Sequence, residues 1–146
     1  MAGPLAGRQL VARVAPAAIC GIVAFALVLA VTDPPGPGLD PDSLSYLGAA
    51  ESLVAHGEYR VPAAPWTSPD STMPLAHFPP GFPTAIALPM QLGMPAPQSA
   101  RLVDALAACL TMFTLVLLVS GATAPLAGIL LGGALLAMPA MLAVHE

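Results

Sequence analysis

The sequence contains no lysine, and its only cationic side chains besides histidine are four arginines in 146 residues. Charged residues make up 8% of the chain, whereas about 25% is usual in soluble domains. Aromatic residues are also scarce, at 5%, while hydrophobic residues reach 57%. A soluble fold of this length has no means of keeping so much apolar surface from water. The composition therefore predicts an integral membrane protein, and the charge pattern gives no indication of a nucleic-acid partner.

Cysteine is nearly absent as well. Cys20 and Cys109 lie far apart in the sequence, each inside an apolar run. A disulfide would require the two to come close together in the fold. The pattern favours two small buried hydrophobic side chains over a redox pair or a metal site.

Long uncharged or nearly uncharged runs dominate what remains, and they predict an all-α membrane protein with three transmembrane helices. About 18 to 20 residues suffice to cross the hydrocarbon core as a helix. The arginines of the head, residues 1–13, precede the first run and none follows it closely, which places the N-terminus in the cytoplasm. We expect a multi-pass protein of the cell membrane. The three predicted spans are residues 14–31, 100–119 and 124–144.

Two features leave the topology open. The first run resembles a signal peptide, but it exceeds the usual length of about 7–15 residues and no strong A-x-A site follows it, which favours a retained anchor. The apolar stretch 82–92 is short for a span and is better interpreted as a helix lying along the membrane surface. If it crossed instead, the orientation of the two later spans would reverse.

Residues 32–99 form a polar, proline-rich segment that we expect outside the cytoplasm. A helix is predicted near residues 42–56 and ends at Gly57, since glycine commonly terminates helices. Between Tyr59 and Pro80 no period is visible, which predicts an irregular but packed segment. The apolar face expected for the helix consists of Leu44, Leu47, Ala50, Leu53 and Val54.

A pair of glycines lies in the predicted third span. Gly128 and Gly132 form a G-x-x-x-G pattern, which lets helices approach closely in lipid. This pattern predicts packing and no chemistry.

The candidate site begins with an Asp-x-Asp pair just after the first span. Asp42 and Tyr46 share one face of the predicted helix. Asp42 could act as a general base, and Asp40 with Asp42 could hold a divalent cation. The plain alternative is that an aspartate before a helix only caps it.

Three further residues could meet a phosphate or substrate beside the membrane. His77 precedes a proline-rich turn and can donate a hydrogen bond, although a loop histidine is more often simply solvated. Arg101 near the start of the second span could bind a lipid phosphate, or it could pair with Asp104 three residues later. Glu146 would lie beyond the third span on the outer face.

The order of these features resembles the N-terminal part of the GT-C glycosyltransferases, specifically bacterial relatives of protein O-mannosyltransferases and aminoarabinose transferases. The resemblance runs from about Val14 onward and depends on sequence order, since no single motif is specific. The matching stretches are Asp42-Ser43-Leu44-Ser45-Tyr46, Ala49 through Gly57, His77-Phe78-Pro79-Pro80-Gly81-Phe82-Pro83 and Ala100-Arg101-Leu102.

The resemblance implies an enzyme that moves a sugar such as mannose from a polyprenyl-phosphate donor to an extracytoplasmic acceptor. Asp42 would activate the acceptor, and Asp40 would be a second carboxylate for a metal in metal-dependent members. His77 and Arg101 would face the donor phosphate. Enzymes of this family have about ten or more spans, so we expect this chain to be part of a longer protein and inactive alone.

Two other classes of protein remain as alternatives. A non-catalytic membrane protein or assembly subunit would use the Gly128 face to bind a partner. A transporter fragment is less favoured, because no ionisable residue lies at the middle of any predicted span.

Overall fold

A computed structural model describes residues 4–32, 41–63, 71–76 and 78–137. These residues are mostly helical, with one two-stranded antiparallel sheet. The elements in chain order are α1 (Pro4–Val31), α2 (Pro41–His56), β1 (Arg60–Pro62), β2 (Thr72–Pro74), α3 (Gly81–Met90), α4 (Ala96–Ala122) and α5 (Pro125–Leu136).

The chain divides into two compact units. Unit 1 comprises Met1–Thr32 and Asp104–Glu146, and unit 2 comprises Asp33–Val103. Unit 1 therefore contains α1, α5 and most of α4. Unit 2 contains α2, both strands, α3 and the beginning of α4.

Unit 1 is held together through small residues. Ala17, Cys20 and Val116 form a buried cluster. A Cβ at Gly132 would lie 2.8 Å from the Cys20 sulfur and 2.9 Å from Val116 Cγ2, and a Cβ at Gly128 would lie 2.8 Å from the Val116 carbonyl oxygen and would also overlap Ser120 Oγ. The G-x-x-x-G pair therefore packs within the chain, as its spacing predicts. Both cysteines are free.

Large apolar side chains of unit 1 point outward. The exposed fraction is 61% for Ile19, 64% for Leu110 and 64% for Leu130. Helices α1 and α4 each contain a stretch long and apolar enough to cross a membrane, Leu10–Val31 and Ala96–Ala122, judged by length and composition. In the most apolar 18 residues of each stretch, only 28% is buried in α1 and 17% in α4.

Unit 2 has a more ordinary core, centred on α2 and α3. Ala50, Ile86, Ala87 and Ala100 are buried together, and partly buried hydrophobic side chains surround them. Leu47 and Leu53 pack on this core as the helical pattern predicts. Leu44 and Val54 do not lie in it, since they are 51% and 40% exposed.

The segment after α2 is not wholly irregular, so that part of the sequence prediction is wrong. Strands β1 and β2 pair antiparallel, with Val61 opposite Met73, and Val61 is 5% exposed. Three-residue strands are too short to display a period of two. The helix before them ends at Gly57, which has a φ of +73°, a conformation that glycine adopts without steric cost.

Two helices extend past their predicted limits. The charged head does not interrupt α1, which begins at Pro4, because proline is well suited to a first turn. For the same reason Pro97 lies inside the first turn of α4. Helix α4 also continues through most of the predicted turn, residues 120–123, and breaks only at Ala124, which is extended as residues before proline prefer.

Helix α5 covers 12 residues within the predicted third span, residues 124–144. This described helix is short for a membrane crossing, since 12 residues extend about 18 Å. The rest of that predicted span, from residue 138, lies outside the described residues.

Candidate functional site

Asp42 lies inside the first turn of α2, which begins at Pro41. The residue is exposed. Because Asp42 lies inside the helix, it does not occupy the N-cap position, which is the residue before the helix. A carboxylate in the first turn is still favoured by the helix dipole, but its exposure leaves the oxygen atoms accessible to a substrate.

Tyr46, one turn after Asp42, is held by two phenylalanines. Its ring centroid lies 4.9 Å from that of Phe78 and 5.2 Å from that of Phe82, the second pair being edge to face. Such aromatic pairs are worth about 0.5–1.5 kcal/mol beyond their area burial. These contacts fasten the proline-rich turn to the helix that carries Asp42.

The hydroxyl groups of unit 2 fix the same turn from the other side. Thr84 Oγ1 lies 2.6 Å from the Pro80 carbonyl oxygen and 2.7 Å from the Tyr59 hydroxyl. Helix α3 is thereby tied at its first turn to the residue that precedes β1. The position of the turn is determined by packing and hydrogen bonds together.

The start of α4 meets the same core. Ala100 is buried with Ala50 and Ile86, and Tyr46 and Phe82 pack against that cluster. Arg101 follows Ala100 directly and is half-buried. Arg101 and Asp104 both have interaction partners in the structure. Three of the motif-bearing segments, α2, the Phe78–Phe82 turn and the start of α4, therefore converge on one cluster.

Three predicted site residues, Asp40, His77 and Glu146, lie outside the described residues. Of the two carboxylates of the proposed cation site, the structure describes only Asp42. Within the described part of the chain, no group of three or more His, Cys, Asp or Glu side chains comes together.

A second set of polar residues was missed by the sequence analysis. A cavity of about 500 Å³ lies between α2 and the two strands. Its polar lining consists of Glu51, Ser52, His56, Arg60 and Thr72. The helical spacing of the first three is visible in the sequence, as a stripe beside the apolar face. Arg60 and Thr72 are brought to this stripe by the pairing of β1 with β2. The sequence shows no alternating pattern that would predict these strands.

Arg60 is held in place across the two strands. Its Nε donates to Thr72 Oγ1 at 2.8 Å and its Nη2 to the Thr72 carbonyl oxygen at 3.0 Å. Its Nη1 lies 3.6 Å from the Glu58 carboxylate. The guanidinium therefore faces the cavity in a fixed orientation.

Comparisons of this chain with protein-family models, with curated proteins and with solved structures found no match.

Proposed function

We propose that this chain is part of a membrane glycosyltransferase that transfers a sugar, such as mannose, from a polyprenyl phosphate to an extracytoplasmic acceptor. The observation that carries the proposal is the cluster around Tyr46. It joins the helix of Asp42 to the turn that follows His77 and to the residue before Arg101. These are the segments whose order resembles the GT-C enzymes.

The membrane location is supported by the arrangement of side chains in unit 1. A core helix of a soluble protein would be mostly buried, yet the apolar stretches of α1 and α4 are mostly exposed. Large apolar side chains in water would be unfavourable by about 25 cal/mol per Å². In lipid the same surface is solvated, and close helix contact through small residues is the usual means of association.

The proposed topology follows from the arginine distribution. Arg8 and Arg13 place the N-terminus in the cytoplasm, so the segment between α1 and α4 lies outside. Helix α3 is proposed to lie along the membrane surface there, because Leu88 and, two residues past the helix, Leu92 are exposed. Residues 124–144 form the third span.

The proposed chemistry uses Asp42 as general base. Its carboxylate accepts the proton of an acceptor hydroxyl, and the oxygen attacks the anomeric carbon of the donor sugar. The bond between that carbon and the phosphate oxygen breaks, and the polyprenyl phosphate leaves with the electron pair. His77 and Arg101 are proposed to stabilise the charge on the leaving phosphate, and Asp40, Tyr46 and Glu146 to line the same site.

The test is Asp42→Asn in the native protein, assayed in membranes of its source with a polyprenyl-phosphate sugar carrying a radiolabel. Loss of a general base reduces rates by about 10²–10⁴-fold. We expect a loss of this size in transfer to endogenous acceptor, with the amount of inserted protein unchanged.

Glu58→Gln is the matched control. It removes the same charge from an exposed carboxylate of unit 2, and transfer should stay within twofold of the wild type. If Asp42→Asn transfers sugar at the normal rate, the catalytic role is wrong. If neither protein transfers sugar from any polyprenyl-phosphate donor, the non-catalytic alternative leads. That alternative needs a surface other than the Gly128 face, which is filled from within the chain.

A further inference from the structure

The cavity between α2 and the strands combines hydrogen-bond donors and acceptors in one small space. Glu51 offers a carboxylate, while Arg60, His56, Ser52 and Thr72 offer N–H or O–H groups. Its volume of about 500 Å³ lies within the range of about 300–1,000 Å³ usual for small-molecule sites. Gly48 and Ala55 leave room on the α2 wall because their side chains are small.

One of these groups has no partner. Among the described residues, the Ser52 hydroxyl is buried and makes no hydrogen bond. A buried hydroxyl left unpaired is unfavourable, so native structures nearly always satisfy it. Ser52 lines the cavity, so a molecule bound there is a candidate for the missing partner.

The charges of the lining argue against an anionic ligand. The charges of Glu51 and Arg60 sum to zero, and Glu58 adds a further negative charge 3.6 Å from the Arg60 guanidinium. Arginine binds carboxylates and phosphates through two parallel N–H groups, but Nε and Nη2 of Arg60 already donate to Thr72. What remains is suited to single hydrogen bonds with neutral groups.

We infer that this cavity binds a neutral carbohydrate through its vicinal hydroxyl groups. A hydroxyl donates one hydrogen bond and accepts others, so one hydroxyl can donate to Glu51 while its neighbour accepts from Arg60 or His56. Thr72 keeps its own hydrogen free to donate, because its oxygen accepts from Arg60. The residues of this site begin at Gly48, several residues beyond Asp42 on α2, and the inference does not require the transfer reaction.

The test is ligand-observed saturation-transfer NMR on the full chain, with methyl glycosides of mannose, glucose, galactose and arabinose as probes. The protein is solubilised in an amine-oxide detergent, because maltoside headgroups are themselves carbohydrates. Inorganic phosphate, followed by ³¹P line broadening, is the anionic probe. We expect millimolar binding of at least one glycoside and weaker binding of phosphate.

Glu51→Gln should weaken that binding about tenfold, the effect of losing a hydrogen bond to a charged group. Glu51 is exposed on α2, so the variant should fold, which circular dichroism verifies. Thr72→Val, which removes the hydroxyl that accepts from Arg60 Nε, should weaken binding by a similar factor. Ser45→Ala removes a polar side chain of the same helix that does not line the cavity and should leave the affinity within twofold.

The inference is overturned if no glycoside binds, if Glu51→Gln binds as tightly as the wild type, or if phosphate binds more tightly than every glycoside. None of these results bears on Asp42, which is tested by transfer and not by binding. Conversely, a transfer-dead protein that still binds a glycoside through Glu51 supports the inference alone.

Discussion

The two units of the molecule differ in how much apolar helix surface they leave exposed. In unit 1 the helices meet through Ala17, Cys20, Gly128 and Gly132, while leucines such as Leu110 face outward. In unit 2 the interior holds Ile86 and the partly buried aromatic cluster of Tyr46, Phe78 and Phe82, and charged groups remain exposed. Unit 1 also buries Met112 and Val116, so the difference between the units lies in the apolar surface that α1 and α4 leave exposed.

We propose that the difference reflects two different solvents. In water, association is driven by burying large apolar side chains, as in unit 2. In lipid that drive vanishes, since the surroundings are as apolar as leucine, and close contact between small residues takes its place. The exposed apolar surface of unit 1 supports the proposal that unit 1 lies in the bilayer and unit 2 at the outer surface. The predictions below test each half of this comparison.

The largest effect is expected in the buried hydrophobic core of unit 2. Ile86→Ala removes a fully buried side chain and should lower the stability of unit 2 by about 2–5 kcal/mol. Native-state hydrogen exchange of the α3 amides in the full chain, reconstituted in lipid, measures this. Exchange should accelerate accordingly.

Leu44→Ala is the matched control in the same unit. Its side chain is 51% exposed, so exchange should change by no more than about 0.5 kcal/mol, as at other surface positions. Equal effects of the two substitutions would mean that unit 2 does not have the water-facing architecture described above.

The next effect concerns the outer surface of unit 1. Leu110 lies near the middle of α4 and is 64% exposed. An aspartate at the centre of a membrane span costs about 2.5–3.5 kcal/mol in insertion. Leu110→Asp should therefore reduce the inserted fraction of α4 severalfold in a glycosylation-reporter assay.

The control for that experiment lies in unit 2. Leu44 is 51% exposed on α2, and Leu44→Asp should leave insertion unchanged because α2 is proposed to lie outside the lipid. Unimpaired insertion of the Leu110 variant would break the comparison, since α4 would then not be facing hydrocarbon.

Much of this contrast could be read from the sequence, because hydropathy and helical period are local properties. They predict a mostly helical chain with three membrane spans. The described residues are mostly helical and contain two helices long and apolar enough to cross a membrane. The ends of α1 and α4 differ from the prediction because neither charge nor proline ends these helices. Arg8 does not interrupt a helix, and Pro97 is tolerated in a first turn.

The site was less predictable, because it depends on contacts between distant residues. The sequence indicates Asp42 through its place after the first span. Nothing local indicates that Tyr46 meets Phe78, or that Arg60 is fixed by Thr72 across two three-residue strands. Such pairings are set by tertiary packing, which periodicity does not encode.

The smallest effect, and the finest test, lies in the glycines of α5. A Cβ at Gly128 would lie 2.8 Å from the Val116 carbonyl oxygen and would overlap Ser120 Oγ, whereas a Cβ at Gly133 meets nothing within 4 Å. Gly128→Ala should destabilise unit 1 by about 1–3 kcal/mol through overpacking. Gly133→Ala should be neutral or stabilising by up to about 1 kcal/mol, because alanine favours the helix.

Unfolding of the full chain by SDS in mixed micelles, followed by circular dichroism, measures the effect of both substitutions. If Gly128→Ala proved as benign as Gly133→Ala, the close contact of α5 would not be what holds unit 1 together.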